Sequence, residues 1–238
     1  RKSCHRASTS MPPTLRTFVL VAGAATLVSV VACQQQTWEQ QIEAAVFAHQ
    51  DGELEAAEEW FRAAEQSASR FDPTDPRLAL TLGNLADFYH SQARDDEAEP
   101  LYRESLELLE RTEGPDSTRF ARFAADLALF YTALDRVEEA EPLYRRALEA
   151  LERMHGPDDD EALVIRTALA RFYLQEQRYG EAEPLYRKAL ALLLDTQQSN
   201  PDQLLTVLDN YASLLRATGR NGEAIGLETR ANALRAAF

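Results

Sequence analysis

The sequence predicts an all-α fold, a solenoid of about five stacked helix pairs, and three observations carry that prediction. The residues Glu-Ala-Glu-Pro-Leu-Tyr-Arg open at Glu97, Glu139 and Glu181, and a relic opens at Glu223, so the chain repeats every 42 residues. A unit recurring at roughly 20 to 50 residues buries its apolar face against its neighbours, and the stack presents one extended surface. Within each period two alanines stand 12 apart, as in Ala86 with Ala98 and Ala128 with Ala140, where helix backbones must cross closely. Turn signals separate the apolar stretches, among them Gly114-Pro115-Asp116 and Gly156-Pro157-Asp158.

Taken in order, the units fall at about 38–70, 77–111, 119–153, 161–194 and 203–238. The first is degenerate: Asp51-Gly52 is its turn, and Ala57, Trp60, Phe61 and Ala64 match the second helices of later units at an offset of 41. Its first helix offers only Ala44, Ala45 and Ala48 for stacking, a thin unit of the kind expected at a terminus. In the next four units the first helix carries Leu85, Leu127, Leu169 and Tyr211. Then come Ala86, Ala128, Ala170 and Ala212, and after them Tyr89, Tyr131, Tyr173 and Leu215, an apolar stripe at helical spacing. The second helix answers with Ala98, Ala140, Ala182 and Ala224, and four residues on with Tyr102, Tyr144 and Tyr186. Recurrence at one repeat position assigns these tyrosines to the core rather than to a cofactor site, each phenol needing one partner at its rim.

The helix ends are marked as well. Pro100, Pro142 and Pro184 are expected in the first turn of each second helix, where a missing N–H costs nothing, with Glu97, Glu99 and their equivalents favouring the positive end of the helix dipole. Arg94, Arg136, Arg178 and Arg220 recur between the two helices, where they are expected to cap preceding carbonyls and pair with a neighbouring glutamate. In the last helix Gly226 and Glu228 replace the proline and the core tyrosine, a polar end of the kind a stack needs as a cap. The run Asp158-Asp159-Asp160-Glu161 reads as a solvated helix start more simply than as a calcium loop.

From Trp38 to Phe238 the pattern resembles tetratricopeptide repeats, in the long form seen in kinesin light chains and many bacterial proteins. HEAT repeats, of similar length, lack this alternation of small residues, and no heptad survives the Gly-Pro turns to support a coiled coil. The resemblance implies a right-handed superhelix whose concave groove is lined by first-helix residues. Carried over, those positions are Leu80, Asn84, Asp87 and His90, then Arg122, Asp126, Leu129 and Thr132. The fourth unit adds Val164, Ala168, Arg171 and Leu174, and the fifth Thr206, Asn210, Ser213 and Arg216. Asn84 and Asn210 stand where the family favours an asparagine able to bond an extended peptide backbone, and Asp126 and Ala168 break that series. The cationic cluster by which chaperone-binding members hold a terminal carboxylate is absent, since Asp87 and Asp126 stand among these positions. The mixture with Arg122, Arg171 and Arg216 suggests a protein or peptide segment with both apolar and charged anchors.

Composition narrows the partner class. Over the full chain 39 acidic side chains face 25 basic ones, a net charge of −14, which argues against nucleic acid, since neutralising phosphates needs a basic stripe. At the amino end, residues 1–10 precede Met11 and read as an over-extended start, and Arg16 precedes an apolar run from Phe18 to Val31. At 14 residues that run is shorter than the roughly 20 a spanning helix needs, and it has the form of a secretory signal. Val30-Val31-Ala32-Cys33 resembles a bacterial lipobox, which implies cleavage of residues 1–32 and a lipid on Cys33. Without the leader the charge becomes 21 − 39 = −18, and Cys4 is gone, leaving no pair for a disulfide. Residues 33–37 would then be a short tether, its four residues Gln34 to Thr37 reaching ~14 Å. Gln34, not being aspartate, points by resemblance to other lipoproteins to the outer membrane of the cell envelope, facing the periplasm.

Chemistry finds no foothold in the sequence. His49, His90 and His155 fall in different units without metal-ligand spacing, no phosphate-cradling glycine loop is present, and the carboxylates are too numerous and exposed to single out an acid and a base. The expectation is a non-enzymatic adaptor or scaffold without cofactor or metal. The alternative left open is a structural envelope component that self-associates through the groove or the ends of the stack.

Overall fold

In a computed structural model of the protein, residues 37–195 and 200–237 are described. Among them every regular element is a helix, and the ten helices form five hairpins. These are α1 (Trp38–Gln50) with α2 (Leu54–Ala68), α3 (Arg77–Ser91) with α4 (Asp95–Thr112), and α5 (Thr118–Ala133) with α6 (Val137–His155). They continue with α7 (Asp160–Gln175) and α8 (Tyr179–Asp195), then α9 (Pro201–Ala217) and α10 (Asn221–Arg235). The chain divides into two compact units after Arg70. No described helix is long and apolar enough to cross a membrane. The leader and Cys33 lie outside the described residues.

The first unit holds the hairpin α1–α2. Thr37 caps α1 with a reciprocal pair of bonds, its hydroxyl accepting from the Gln40 N–H while the Gln40 side chain accepts from the Thr37 N–H. Ala45, Ala57 and Ala64 are fully buried and let the two helices approach, with Phe61 as the large core side chain.

In the second unit, α3 to α10, each second helix packs against its own first helix and against the first helix of the next hairpin. Ala86, Ala98, Ala128, Ala140, Ala170 and Ala182 have no exposed surface, so the backbones meet at the expected crossings. Tyr102, Tyr144 and Tyr186 fill the space beside them, each burial contributing about 1.5–3 kcal/mol. Gly83 marks the tightest approach, since a Cβ there would stand 2.3 Å from Cε1 of Phe123. Fully buried Arg166 on α7 ties three helices together: it donates to Glu152 on α6 at 2.7 Å and to the Pro157 carbonyl at 2.8 Å, and Lys188 on α8 reaches the same carboxylate.

The first helices end alike in all five hairpins. The N–H of Glu53, Arg94, Arg136, Arg178 and Arg220 reaches back to the carbonyl of Ala48, Tyr89, Tyr131, Tyr173 and Leu215 at 2.8–2.9 Å. The preceding residue sits in the left-handed region, as this motif requires. Gly52 and Gly219 occupy it in the first and last hairpins, whereas Ala93, Asp135 and Gln177 occupy it at φ 57°, 59° and 56° in the middle three.

Two expectations are corrected by these turns. The second helices begin at Asp95, Val137 and Tyr179, so Pro100, Pro142 and Pro184 are each the sixth helical residue, inside the helix rather than in its first turn. The turn's own hydrogen bonds, not the proline, set the start. The recurring arginines do pair with glutamate, but their backbone N–H supplies the carbonyl bond, and the side chains of Arg136, Arg178 and Arg220 are spent on the seam between hairpins.

That seam repeats three times. Arg136 donates to Glu99 of the preceding hairpin at 2.6 Å, Arg178 to Glu141 at 2.5 Å, and Arg220 to Glu183 at 2.7 Å, each also holding Glu139, Glu181 or Glu223 of its own helix. Tyr131, Tyr173 and Tyr211 donate to the same three inner glutamates, and Arg103, Arg145 and Arg187 bridge to them from one turn further on. The Arg178 bond, against the cost of burial and with help from Tyr173, holds the Glu141 carboxyl down to about 2. In α10 the equivalent position is Ile225, 54% exposed, and the series of seam glutamates stops there.

Candidate functional site

The first helices α3, α5, α7 and α9 present one side chain per hairpin at each of several equivalent positions, 42 residues apart. One row reads Asp87, Leu129, Arg171, Ser213, and its neighbour Asn84, Asp126, Ala168, Asn210. The backbone is the same at every step, so only the side-chain chemistry changes along the row.

Between α5, α7 and α9 this face opens into a cleft of about 370 Å³. Leu129, Val164, Ala168, Arg171, Thr206 and Asn210, all groove positions in the sequence, line it together. Leu163, Thr167, Asp202 and Gln203 line it too and were not anticipated: the first two neighbour chosen positions by one residue, and the last two stand one helical turn before Thr206, at the start of α9. The walls are apolar: Leu129 and Val164 are 45% and 51% exposed, against the general rule that large aliphatic side chains leave water.

Arg171 stands exposed at this cleft without a hydrogen-bond or ion-pair partner among the described residues. On α8 the hydroxyl of Tyr186 is buried and likewise has no hydrogen-bond partner among the described residues. Burial pushes that phenol's pKa up, and the charge of Arg171 opposes the rise. An earlier hairpin satisfies the same phenol: the Tyr102 hydroxyl donates to Asp87 at 2.5 Å. With arginine where Asp87 stands, Tyr186 lacks the carboxylate that accepts from Tyr102.

The opposite end of the face is acidic. Asp126 is pushed up to about 6, first by the protein crowding it, then by the charge of Asp87, with Arg122 on the same helix opposing. Asp87 is raised for the first of those reasons, against the bond from Tyr102 and the influence of His90. Both carboxyls still reach solvent, so their desolvation is partial. Of the remaining candidates, Asn84 is half-buried on α3. His90 turns to Asp95 at 2.6 Å and packs edge-on to Phe130. Arg216 is held by Glu228 through two bonds of 2.7 Å, so that pair closes on its own hairpin. Asp159 caps α7 by accepting from the Ala162 N–H, and no three metal-ligating side chains gather among the described residues.

The tetratricopeptide repeat family model matches residues 38–111 and 120–195. Among solved structures, BtubC (BKLC) from P. vanneervenii is similar at a TM-score of 0.78 and 25% identity, over 84% of this chain and 80% of that one. The Podosopora anserina kinesin-light-chain candidate with nearly identical TPR-like repeats gives 0.72 at 22% identity, over 83% and 94%. The Rap conjugation gene regulator of plasmid pLS20, in complex with the Phr* peptide, gives 0.59 at 16% identity, over 82% of this chain and 52% of that one. The last two are likenesses of fold alone. No curated protein sequence is detectably similar.

Proposed function

The chain belongs to the tetratricopeptide repeat family, and from that premise we propose that it is a non-enzymatic adaptor holding a protein or peptide segment along the face of α3, α5, α7 and α9. One observation carries the reading: the cleft leaves Leu129 and Val164 in water beside Arg171, a cation with no partner among the described residues. A segment supplying an apolar side chain and a carboxylate would bury the first and pair the second. The Rap regulator, similar in fold, is in complex with a peptide, and that agrees with the occupant proposed here.

The same reading places the adaptor at the bacterial cell envelope, acylated on Cys33 and facing the periplasm from the outer membrane; its support is the lipobox-like Val30-Val31-Ala32-Cys33. Labelling cells with an alkyne fatty acid tests the anchor. The wild-type chain should carry the label and sediment with membranes, and Cys33→Ser should do neither; an unlabelled wild type removes the anchor from the proposal. The groove is tested by photoreactive residues at positions 126 and 171 in the native cell, with mass spectrometry of the trapped species. A reproducible foreign protein lost on Asn210→Ala supports the adaptor, whereas crosslinks to this chain alone would replace it by a self-associating envelope component.

A further inference from the structure

We propose that the groove reads the order of side chains along an extended segment: a basic residue over Asp87 and Asp126, an apolar residue beside Leu129, and an acidic residue on Arg171. The inference rests on the adaptor reading and adds the chemistry of the partner. Its first support is the row Asp87, Leu129, Arg171, in which one repeat position passes from carboxylate to aliphatic to guanidinium over three successive hairpins. The helix crossings do not ask for that change, since the buried alanines behind the row are the same each time.

The second support is independent of charge counting. Tyr186 and Arg171 hold the repeat positions at which Tyr102 donates to Asp87, and with arginine in place of that carboxylate the buried Tyr186 hydroxyl has no hydrogen-bond partner among the described residues. Leaving a buried hydroxyl unsatisfied is costly, and a ligand carboxylate drawn to Arg171 supplies the charge that Asp87 supplies two hairpins earlier. At the other end two carboxylates repel one another, which a cationic side chain relieves.

The spacing follows from geometry. Successive first helices stand side by side at no less than one helix width, roughly 10 Å, and an extended chain advances about 3.3 Å per residue, so one hairpin corresponds to about three residues of ligand. The recognised segment therefore carries its basic, apolar and acidic residues at three-residue steps.

The test uses fluorescence polarisation with the purified full chain and three labelled peptides of one composition. Two place Lys, Leu and Glu at three-residue steps in the two chain directions; the third keeps the steps but sets Leu at one end, ahead of both charges. One of the first two should bind at least tenfold more tightly than the third. Arg171→Glu should abolish that preference, and exchanging the peptide's Glu for Lys should restore binding to the variant while weakening it to the wild type. Circular dichroism melts should show Arg171→Glu no less stable than the wild type, because Arg171 is exposed and a carboxylate at 171 stands where Asp87 accepts from Tyr102. Equal affinity for all three orders, failure of the charge exchange, or no binding in either direction would overturn the inference. The in-cell crosslink does not depend on any peptide pattern, so a trapped client lacking this order would sink the inference and leave the adaptor standing.

Discussion

The seam between hairpins and the face lined by the first helices are built on the same repeating backbone, yet one is copied and the other is varied. At the seam Glu99, Glu141 and Glu183 meet Arg136, Arg178 and Arg220, with a tyrosine and a second arginine recurring beside each. Along the face, the equivalent positions run Asp87, Leu129, Arg171, Ser213. Stacking requires each interface to repeat, so what recurs belongs to the fold. What changes at a position the stack leaves open is not fixed by folding, and that is where recognition has room to act.

The largest difference between structure and face should appear in stability. Tyr144→Ala empties a site of 1% exposure against Phe172 and should cost about 3–5 kcal/mol in urea denaturation. Leu129→Ala, on the exposed face, should stay within about 0.5 kcal/mol while weakening whatever the cleft holds. Similar costs for the two would mean that the face is part of the packing after all.

A smaller effect separates the carboxylates of the two regions by the sign of their pH dependence. Glu141, held down to about 2 from an ordinary 4.5, contributes stability above pH 4.5 that is lost as pH falls towards 2. Asp126, pushed up to about 6 from 3.8, does the reverse: its contribution is complete below 3.8 and is lost as pH rises through 6. In chemical-denaturation midpoints measured from pH 2 to 8, Glu141→Gln should flatten the acid limb and cost about 1 kcal/mol near neutrality. Asp126→Asn should instead remove a decline between pH 4 and 6. If both variants altered the same limb, the division into seam and face would fail.

The repeat, the crossing alanines and the core tyrosines were legible because stacking prints them at a fixed period. Of the expected groove positions Leu129, Val164, Ala168, Arg171, Thr206 and Asn210 line one cleft, whereas Asn84, Asp87, His90, Arg122, Asp126 and Arg216 lie outside its lining. Pairing was not legible. His90 is engaged by Asp95 across its turn and Arg216 by Glu228 twelve residues away, contacts that depend on rotamers and on the hairpin closing. The prolines misled for a related reason: the usual preference of proline for a first turn was outweighed by backbone bonds from the turn itself, which start the helix five residues earlier. Nor does any sequence pattern show that the Tyr186 hydroxyl lacks an acceptor, because that lies in the difference between equivalent corners of two hairpins.

The smallest expected effect concerns the turn that delivers the seam arginine. Gln177 holds φ 56° immediately before Arg178, a conformation that costs a residue with a Cβ about 1–2 kcal/mol and glycine almost nothing. Glycine also gives the unfolded chain more freedom, about 0.4–1 kcal/mol, so Gln177→Gly should stabilise by a net of about 0.5 kcal/mol. Combined with Glu141→Gln, the two changes should add within about 0.3–0.5 kcal/mol if backbone turn and side-chain network contribute separately. A clear excess or shortfall in the double variant would show that the left-handed residue aims Arg178 at Glu141, so that the turn belongs to the copied seam. Agreement with the sum would make the turn a local feature of each hairpin, in which case glycine at 93 should stabilise by a similar amount and at 135 by less, since aspartate tolerates the left-handed region better than alanine or glutamine.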